Sequence, residues 1–206
     1  FQIETLDLLN IPKSKRISSI EFRHIKCDNL LAVDHPYVIK NDPTIEIQNI
    51  PDWILSYLRK IFLENFKRNN IKETPKKIYI DRKDAKSNHA HLRKIINEDE
   101  VKNFFTKNGF SIVTLSELTF LDQINLFNNA THIAGLHGAG FSNCIFCKKE
   151  IFVLEIQSNT AGPMYKNHSK KIGLNYQNIS VEPINSDNNQ QGLIEVPLEL
   201  IKKKLS

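Results

Sequence analysis

The sequence predicts an α/β fold on a parallel sheet, and three observations lead there. Residues 77–156 alternate short apolar runs with helical stretches of roughly ten residues, a spacing that forces parallel strands with right-handed crossovers. Within this span, residues 131–136 form a buried-strand run, His137-Gly138-Ala139-Gly140 a glycine turn, 141–147 a short helix and 151–156 a second buried strand. At 206 residues and 40% hydrophobic content, the chain has the material for one real core plus an appendage.

Taken in order, residues 1–10 carry Ile3, Leu6, Leu8 and Leu9 and read as a helix end, closed by Ile11-Pro12. Residues 17–22 and 27–33 are short and strand-like, and Pro36, Pro43 and Pro51 punctuate the stretch after them. Residues 1–50 are therefore expected to be a connector and the tail of an earlier domain, with the domain proper at 51–206. The opening on Phe1, with no charged-then-apolar leader, reads as a fragment or a processed piece.

Residues 51–70 give the clearest helix. Pro51 and Asp52 suit its first turn, and Trp53, Ile54, Tyr57, Leu58, Ile61, Phe62 and Phe66 recur at three- and four-residue spacing before Asn69-Asn70. Lys77-Ile78-Tyr79-Ile80 is a strand, with a polar loop after it reaching His91 and running on through Arg93 and Lys94. Asn97 with Glu100 three positions on has the form of a capping box for a helix to about residue 107, which Gly109 stops. Residues 110–115 form a strand. Residues 116–119 are a loop and cap, and 120–128 a helix leading into the strand at 131. Beyond Glu155 come a loop and helix over 160–172, a strand over 175–182, a polar loop over 185–192 and a closing helix over 196–205.

The formal charge of +5 is modest, and acidic residues are interspersed with the basic ones. The spots at Lys76-Lys77, Lys170-Lys171 and Lys202 to Lys204 read as solvated surface, and no aromatic residues interleave a basic stripe, so nucleic acid is not the expected partner. No apolar run approaches the roughly 20 residues of a bilayer span. Three cysteines, Cys27, Cys144 and Cys147, are too few and too odd in number for a disulfide framework. Cys144-x-x-Cys147 lacks a second ligand pair and reads as two packed thiols on one helix face, so no metal is expected.

Chemistry concentrates at the glycine turn. It sits at the carboxyl end of a strand, where open α/β sheets bind ligands because helix N-termini and free amides converge there. His137 beside a helix N-terminus is electrostatically awkward unless an anion or acceptor occupies the site. The turn reads as a phosphate or pyrophosphate cradle; a ligand-free turn is the other reading, since the six-position dinucleotide fingerprint is incomplete. Arg82, just past a strand end, and Arg93 can each offer a planar fork to phosphate oxygens, or sit in a surface ion pair. Glu155 ends a buried strand, where a carboxylate accepts from ribose hydroxyls or joins a buried ion pair. Asn143 can cap the site or bond ligand hydroxyls, and Ser116 and Glu117, after another strand end, can flank a base.

The segment HGAGFSN at 137–143 with IFVLEI at 151–156 resembles the HGAG…EI signature of family 61 glycosyltransferases. YIDR at 79–82 and LRKIINEDE at 92–100 are similar to that family's block with two arginines and an Asn-Glu pair. The resemblance implies a GT-B enzyme, of which this chain would be the C-terminal, Rossmann-like half, with helices on both faces of its sheet. It also implies transfer of a sugar from a nucleoside-diphosphate donor, expected to carry uridine, to a glycan or protein hydroxyl, with inversion and without a metal or other cofactor. His137 is the expected catalytic residue. Arg82, Arg93, Ser116, Glu117, His137, Gly138, Ala139, Gly140, Asn143 and Glu155 are the expected substrate-binding set. A cytoplasmic or membrane-peripheral setting is expected for a microbial protein and the secretory lumen for a eukaryotic one, with the cytoplasm preferred. Two other readings stand beside this one: a non-catalytic nucleotide-binding or interaction module of the same fold, and a metal-assisted hydrolase using His132, His137 and the cysteines.

Overall fold

In the computed structural model, residues 2–31, 47–67, 73–84, 93–184 and 192–206 are described. Pro36, Pro43, Asn69-Asn70, the loop from 85 to His91 and residues 185–191 of the later polar loop lie outside them.

Five parallel strands form the central sheet in the order β3-β1-β4-β5-β6: β1 (Lys77–Asp81), β3 (Ser111–Thr114), β4 (His132–Leu136), β5 (Phe152–Ser158) and β6 (Asn175–Val181). A separate parallel pair joins β2 (Arg93–Ile95) to β7 (Gly192–Ile194). The expected α/β, Rossmann-like sheet is the one observed. From β1 the chain runs outward to β3, then crosses back over β1 to β4. The ends of β1 and β4 therefore flank the point where the winding reverses, and such a crevice at the carboxyl ends of the strands is where this architecture takes its ligands.

Alternation along the strands supplies two cores. Ile78, Ile80, Ile133 and Val153 face a layer that includes α2 (Asp52–Lys67), α4 (Phe120–Asn129) and α5 (Met164–Ile172), with Phe62, Ile124, Phe127 and Tyr165 buried there. Tyr79, Ala134, Leu136, Leu154 and Ile156 face the other, where α3 (Glu98–Lys107) and α6 (Leu198–Leu205) bring Val101, Phe105 and Ile201. Strands covered on both sides read as near-continuous apolar runs, and β1, β4 and β5 do.

Several boundaries are set by caps. Thr119 accepts a hydrogen bond from the Asp122 amide at the start of α4, 3.1 Å away, as its sequence position predicts. Asn97 occupies the expected N-cap position of α3, yet its side chain does not cap. Its amide nitrogen donates to the Val196 carbonyl at 2.9 Å and its oxygen accepts from the Val196 amide at 3.0 Å, extending the small sheet toward α6. Gly173 closes α5 in the left-handed conformation.

Other expectations fail on particular residues. Residues 17–22, and the described part of 27–33, form no strand; Ile17, Ile20, Phe22 and Ile25 are exposed, with no neighbouring strand or layer among the described residues to cover them. The α1 helix (Gln2–Leu8), within the expected connector, packs on α4: Glu4 accepts from the Phe120 amide at 3.0 Å, and Leu8 and Leu9 lie against the first core. In α2 the buried positions are Leu55 and Phe62, whereas Trp53 and Tyr57, on the same apolar arc, are exposed because no described element covers that edge. Among the described residues no helix is long and apolar enough to cross a membrane.

A polar group deep in the second core goes unpaired. The Tyr79 hydroxyl is buried against Phe105 without a hydrogen-bond partner among the described residues, and burial pushes its pKa upward. Tyr79→Phe removes an unsatisfied donor while keeping the ring, so it is expected to leave stability unchanged or raise it by about 1–3 kcal/mol. Denaturant unfolding of the two proteins checks this; a loss above about 1 kcal/mol would mean that the hydroxyl is satisfied after all.

Candidate active site

The carboxyl ends of β1, β3 and β4 enclose a cavity of about 370 Å³. Its walls include Arg82 and Asp84 after β1, Leu115 after β3, Gly138 to Gly140 after β4, and Gln123 with Asn143 from the layer above. This is the switch-point crevice of the sheet.

The expected short helix at 141–147 is a 3₁₀ segment over Ala139–Phe146, opened by a bond from the Phe141 amide to the Gly138 carbonyl. Gly138 has φ 168°, an extended conformation open to any residue, so its backbone angle does not call for glycine. A Cβ there would first meet the Arg82 side chain, at 3.5 Å from its Nε, an ordinary contact. Gly140 is the position that packing forbids to larger residues. A Cβ on it would stand 2.9 Å from Leu115 Cδ1 and 3.1 Å from Ile80 Cγ2. The leucine tip can swing, but buried β-branched Ile80 cannot. Gly140→Val is expected to destabilise the fold by about 1–3 kcal/mol through overpacking, and Gly138→Ala to leave thermal stability unaltered. Parallel thermal melts check the pair, and equal losses at both positions would refute the distinction.

The far end of the 3₁₀ segment is tied down as well. Arg59 of α2 donates to the carbonyls of Ile145 and Cys147, the latter at 2.9 Å, and Asn128 donates to the Phe146 carbonyl at 2.9 Å. These donors satisfy carbonyls a short helix leaves open. At the near end, the amides of Gly138, Ala139 and Gly140 have no backbone acceptor among the described residues, and they border the cavity.

Arg82 lies across the turn, with its guanidinium against Gly138 and Nη1 3.4 Å from the His137 carbonyl oxygen. Burial, then the nearby Arg93, lowers its pKa; both oppose its charge, and Asp84 and Glu98 offset them in part. An anion between the two guanidinium groups would relieve that repulsion. Arg93 opens β2 and lines a small adjoining pocket with His137 and Ser158; Leu136 borders both spaces. The structure thus brings together Arg82, Gly138, Ala139, Gly140 and Asn143 on the switch-point cavity, with His137 and Arg93 next door.

Three expected residues stand elsewhere. Asn143 donates to Gln123 at 3.0 Å on the cavity wall, but Ser116 and Glu117 are exposed beyond it. The Ser116 amide donates to Asp84 at 3.3 Å, and Glu117 is paired with Lys83 at 2.8 Å. Glu155 does not reach the cavity. It is 1% exposed, with Oε1 2.5 Å from Nδ1 of His137, itself 3% exposed, and Oε2 accepting from the Tyr176 hydroxyl. Tyr176 carries no signal in the sequence; it reaches Glu155 because Glu155 pairs with Asn178, two residues further along the same face of β6. Asp84 and Gln123 were equally unannounced, each one polar residue among many in its segment.

Cys144 and Cys147 are buried and hydrogen-bonded to each other, which together with burial pushes the Cys144 thiol up. His132 packs between Phe110 and Phe152. Among the described residues no group of three His, Cys, Asp or Glu side chains gathers as a metal site.

The chain matches the family described as Glycosyltransferase 61 over residues 2–154. It belongs to that family. The resemblance carried by HGAG…EI and the two-arginine block is borne out, and Arg82, Arg93, Ser116, Glu117, the turn and Asn143 all fall inside the matched range. Over 92 residues the family 61 chain is also 30% identical to a Mus musculus protein named EGF domain-specific O-linked N-acetylglucosamine transferase. That stretch is 42% of this chain and 18% of the relative, so the chain spans a minor part of the relative's length.

Proposed function

We propose that this chain is the donor-binding part of a glycosyltransferase that moves a sugar from a nucleoside diphosphate, uridine by preference, to a hydroxyl of a glycan or protein. The observation that carries it is the guanidinium of Arg82 laid against the HGAG turn, in the switch-point cavity of a family 61 domain. When the sugar departs, negative charge collects on the leaving diphosphate, and fixed donors with cations lower the barrier by meeting it. Here the cations are Arg82 and Arg93, and the donors are the amides of Gly138 to Gly140. Asn143 and Asp84 border the same space and suit hydroxyls of the ribose or sugar. In this reading the transfer is a direct displacement with inversion, needs no divalent metal, and uses a partner domain of GT-B type for the acceptor.

Calorimetric titration of the folded protein with uridine, guanosine and adenosine diphosphates, each with and without a chelator, tests the reading. Uridine diphosphate is expected to bind tightest and to ignore the chelator. If no nucleoside diphosphate binds, the donor-site reading falls and a non-nucleotide interaction module takes its place. If binding needs a divalent ion, the metal-free displacement falls alone.

A further inference from the structure

The His137–Glu155–Tyr176 cluster is a built device that phosphate binding does not use. Its three side chains come from three places: the turn after β4, the middle of β5 and the second residue of β6. Each Glu155 oxygen has its own partner, Nδ1 of His137 on one and the Tyr176 hydroxyl on the other. Burial of such a polar group is costly unless every member is satisfied, and here the carboxylate is. Tyr176 is held as the neutral, donating phenol: burial first, then the Glu155 charge, raise its pKa.

We infer that Tyr176 and Glu155 are positioning residues that lock the His137 ring with its proton on Nδ1, so that Nε2 presents a lone pair to the donor site and accepts a hydrogen bond from a ligand hydroxyl. The choice of ring nitrogen is set by the bond the other one makes. With Nδ1–H committed to Glu155, only Nε2 is left for the pocket that His137 shares with Arg93 and Ser158. A lone pair there repels phosphate oxygens and suits a sugar or acceptor hydroxyl, which separates His137 from the diphosphate cradle of Arg82 and the glycine turn. The Tyr165 ring, 5.1 Å from that of His137 and itself backed by the buried Phe141 ring, keeps the imidazole from rotating away. Charged and titratable groups near the cluster include Arg82, Arg93, Tyr165, Tyr176 and Cys144, and Glu155 is the acceptor that holds the Nδ1 proton. The use of Nε2 rests on the donor site proposed above; the ring's protonation pattern does not.

Long-range ¹H–¹⁵N correlation of the ¹⁵N-labelled protein, with His137→Gln to assign the signals, reads that pattern directly. Expected is a single species with a protonated Nδ1 and a bare Nε2, unchanged when uridine diphosphate is added. Tyr176→Phe keeps the ring that packs but frees Oε2, and is expected to replace the single species by exchange between forms. A wild-type ring protonated on Nε2 and bare on Nδ1 would overturn the relay, without need of any variant. Protonation of Nε2 when uridine diphosphate binds would overturn its assignment to a hydroxyl, and an unchanged spectrum in Tyr176→Phe would remove Tyr176 from the device. Failure of uridine diphosphate to bind, with the wild-type pattern as stated, would sink the donor reading and with it the role of Nε2, while the locked ring stood.

Discussion

Glu155→Ala is expected to cost about 2–5 kcal/mol of folding stability, with roughly 1–3 kcal/mol for each polar group left without its acceptor. Two polar groups lose their acceptor at once, Nδ1 of the buried His137 and the hydroxyl of the half-buried Tyr176. The missing side chain also leaves a cavity beside β5. Chemical unfolding checks the magnitude, with Glu155→Gln as the milder companion because its amide still offers one acceptor. A loss under about 1 kcal/mol for the alanine variant would show that solvent reaches the cluster and that the carboxylate is not buried as described.

Arg82→Ala should show the opposite profile, a large effect on binding and little on the fold. If Arg82 gives a charge-assisted bond to a diphosphate, its loss weakens nucleoside diphosphate binding by about 1.5–3 kcal/mol, roughly ten- to 150-fold. The fold gives up little: one long contact of 3.4 Å to a carbonyl, while repulsion from Arg93 disappears. Titration calorimetry and a thermal melt on the same preparation separate the two quantities. Should the variant melt early while the surviving fold keeps its nucleotide affinity, Arg82 is a structural group and the phosphate lies elsewhere.

Much of this arrangement was legible because it is local. The strand-turn-strand run at 131–156 carries its own period, and its glycines and histidine stand together in the sequence. What escaped was long-range. Three-residue strands such as Arg93–Ile95 and Gly192–Ile194 are too short to show a period, and each exists only because the other is present. Tyr176 became a partner of Glu155 through the register of β5 and β6, which no spacing within one strand reveals. The conformation of Gly138 was illegible for a different reason: glycine permits positive φ but does not require it, and here the backbone is extended. The strands expected at 17–22 and, in its described part, 27–31 failed because β-propensity forms no strand without a neighbour to pair with, and none stands there among the described residues.

The short β2–β7 pair also bears on the order in which the molecule assembles. Its side-chain clasp, Asn97 to Val196, joins residues 99 apart, whereas β4 and β5 are joined through one 3₁₀ segment. Closing so long a loop costs chain entropy before any contact offsets it, so contacts of this separation form late. Arg93 begins the strand that waits for that closure, while Arg82 extends from β1, next to β4 in the sheet. The two guanidinium groups thus reach the site from opposite ends of the folding sequence, and a chain stalled before the C-terminal strand arrives would hold the glycine turn and Arg82 in place with Arg93 still unfixed.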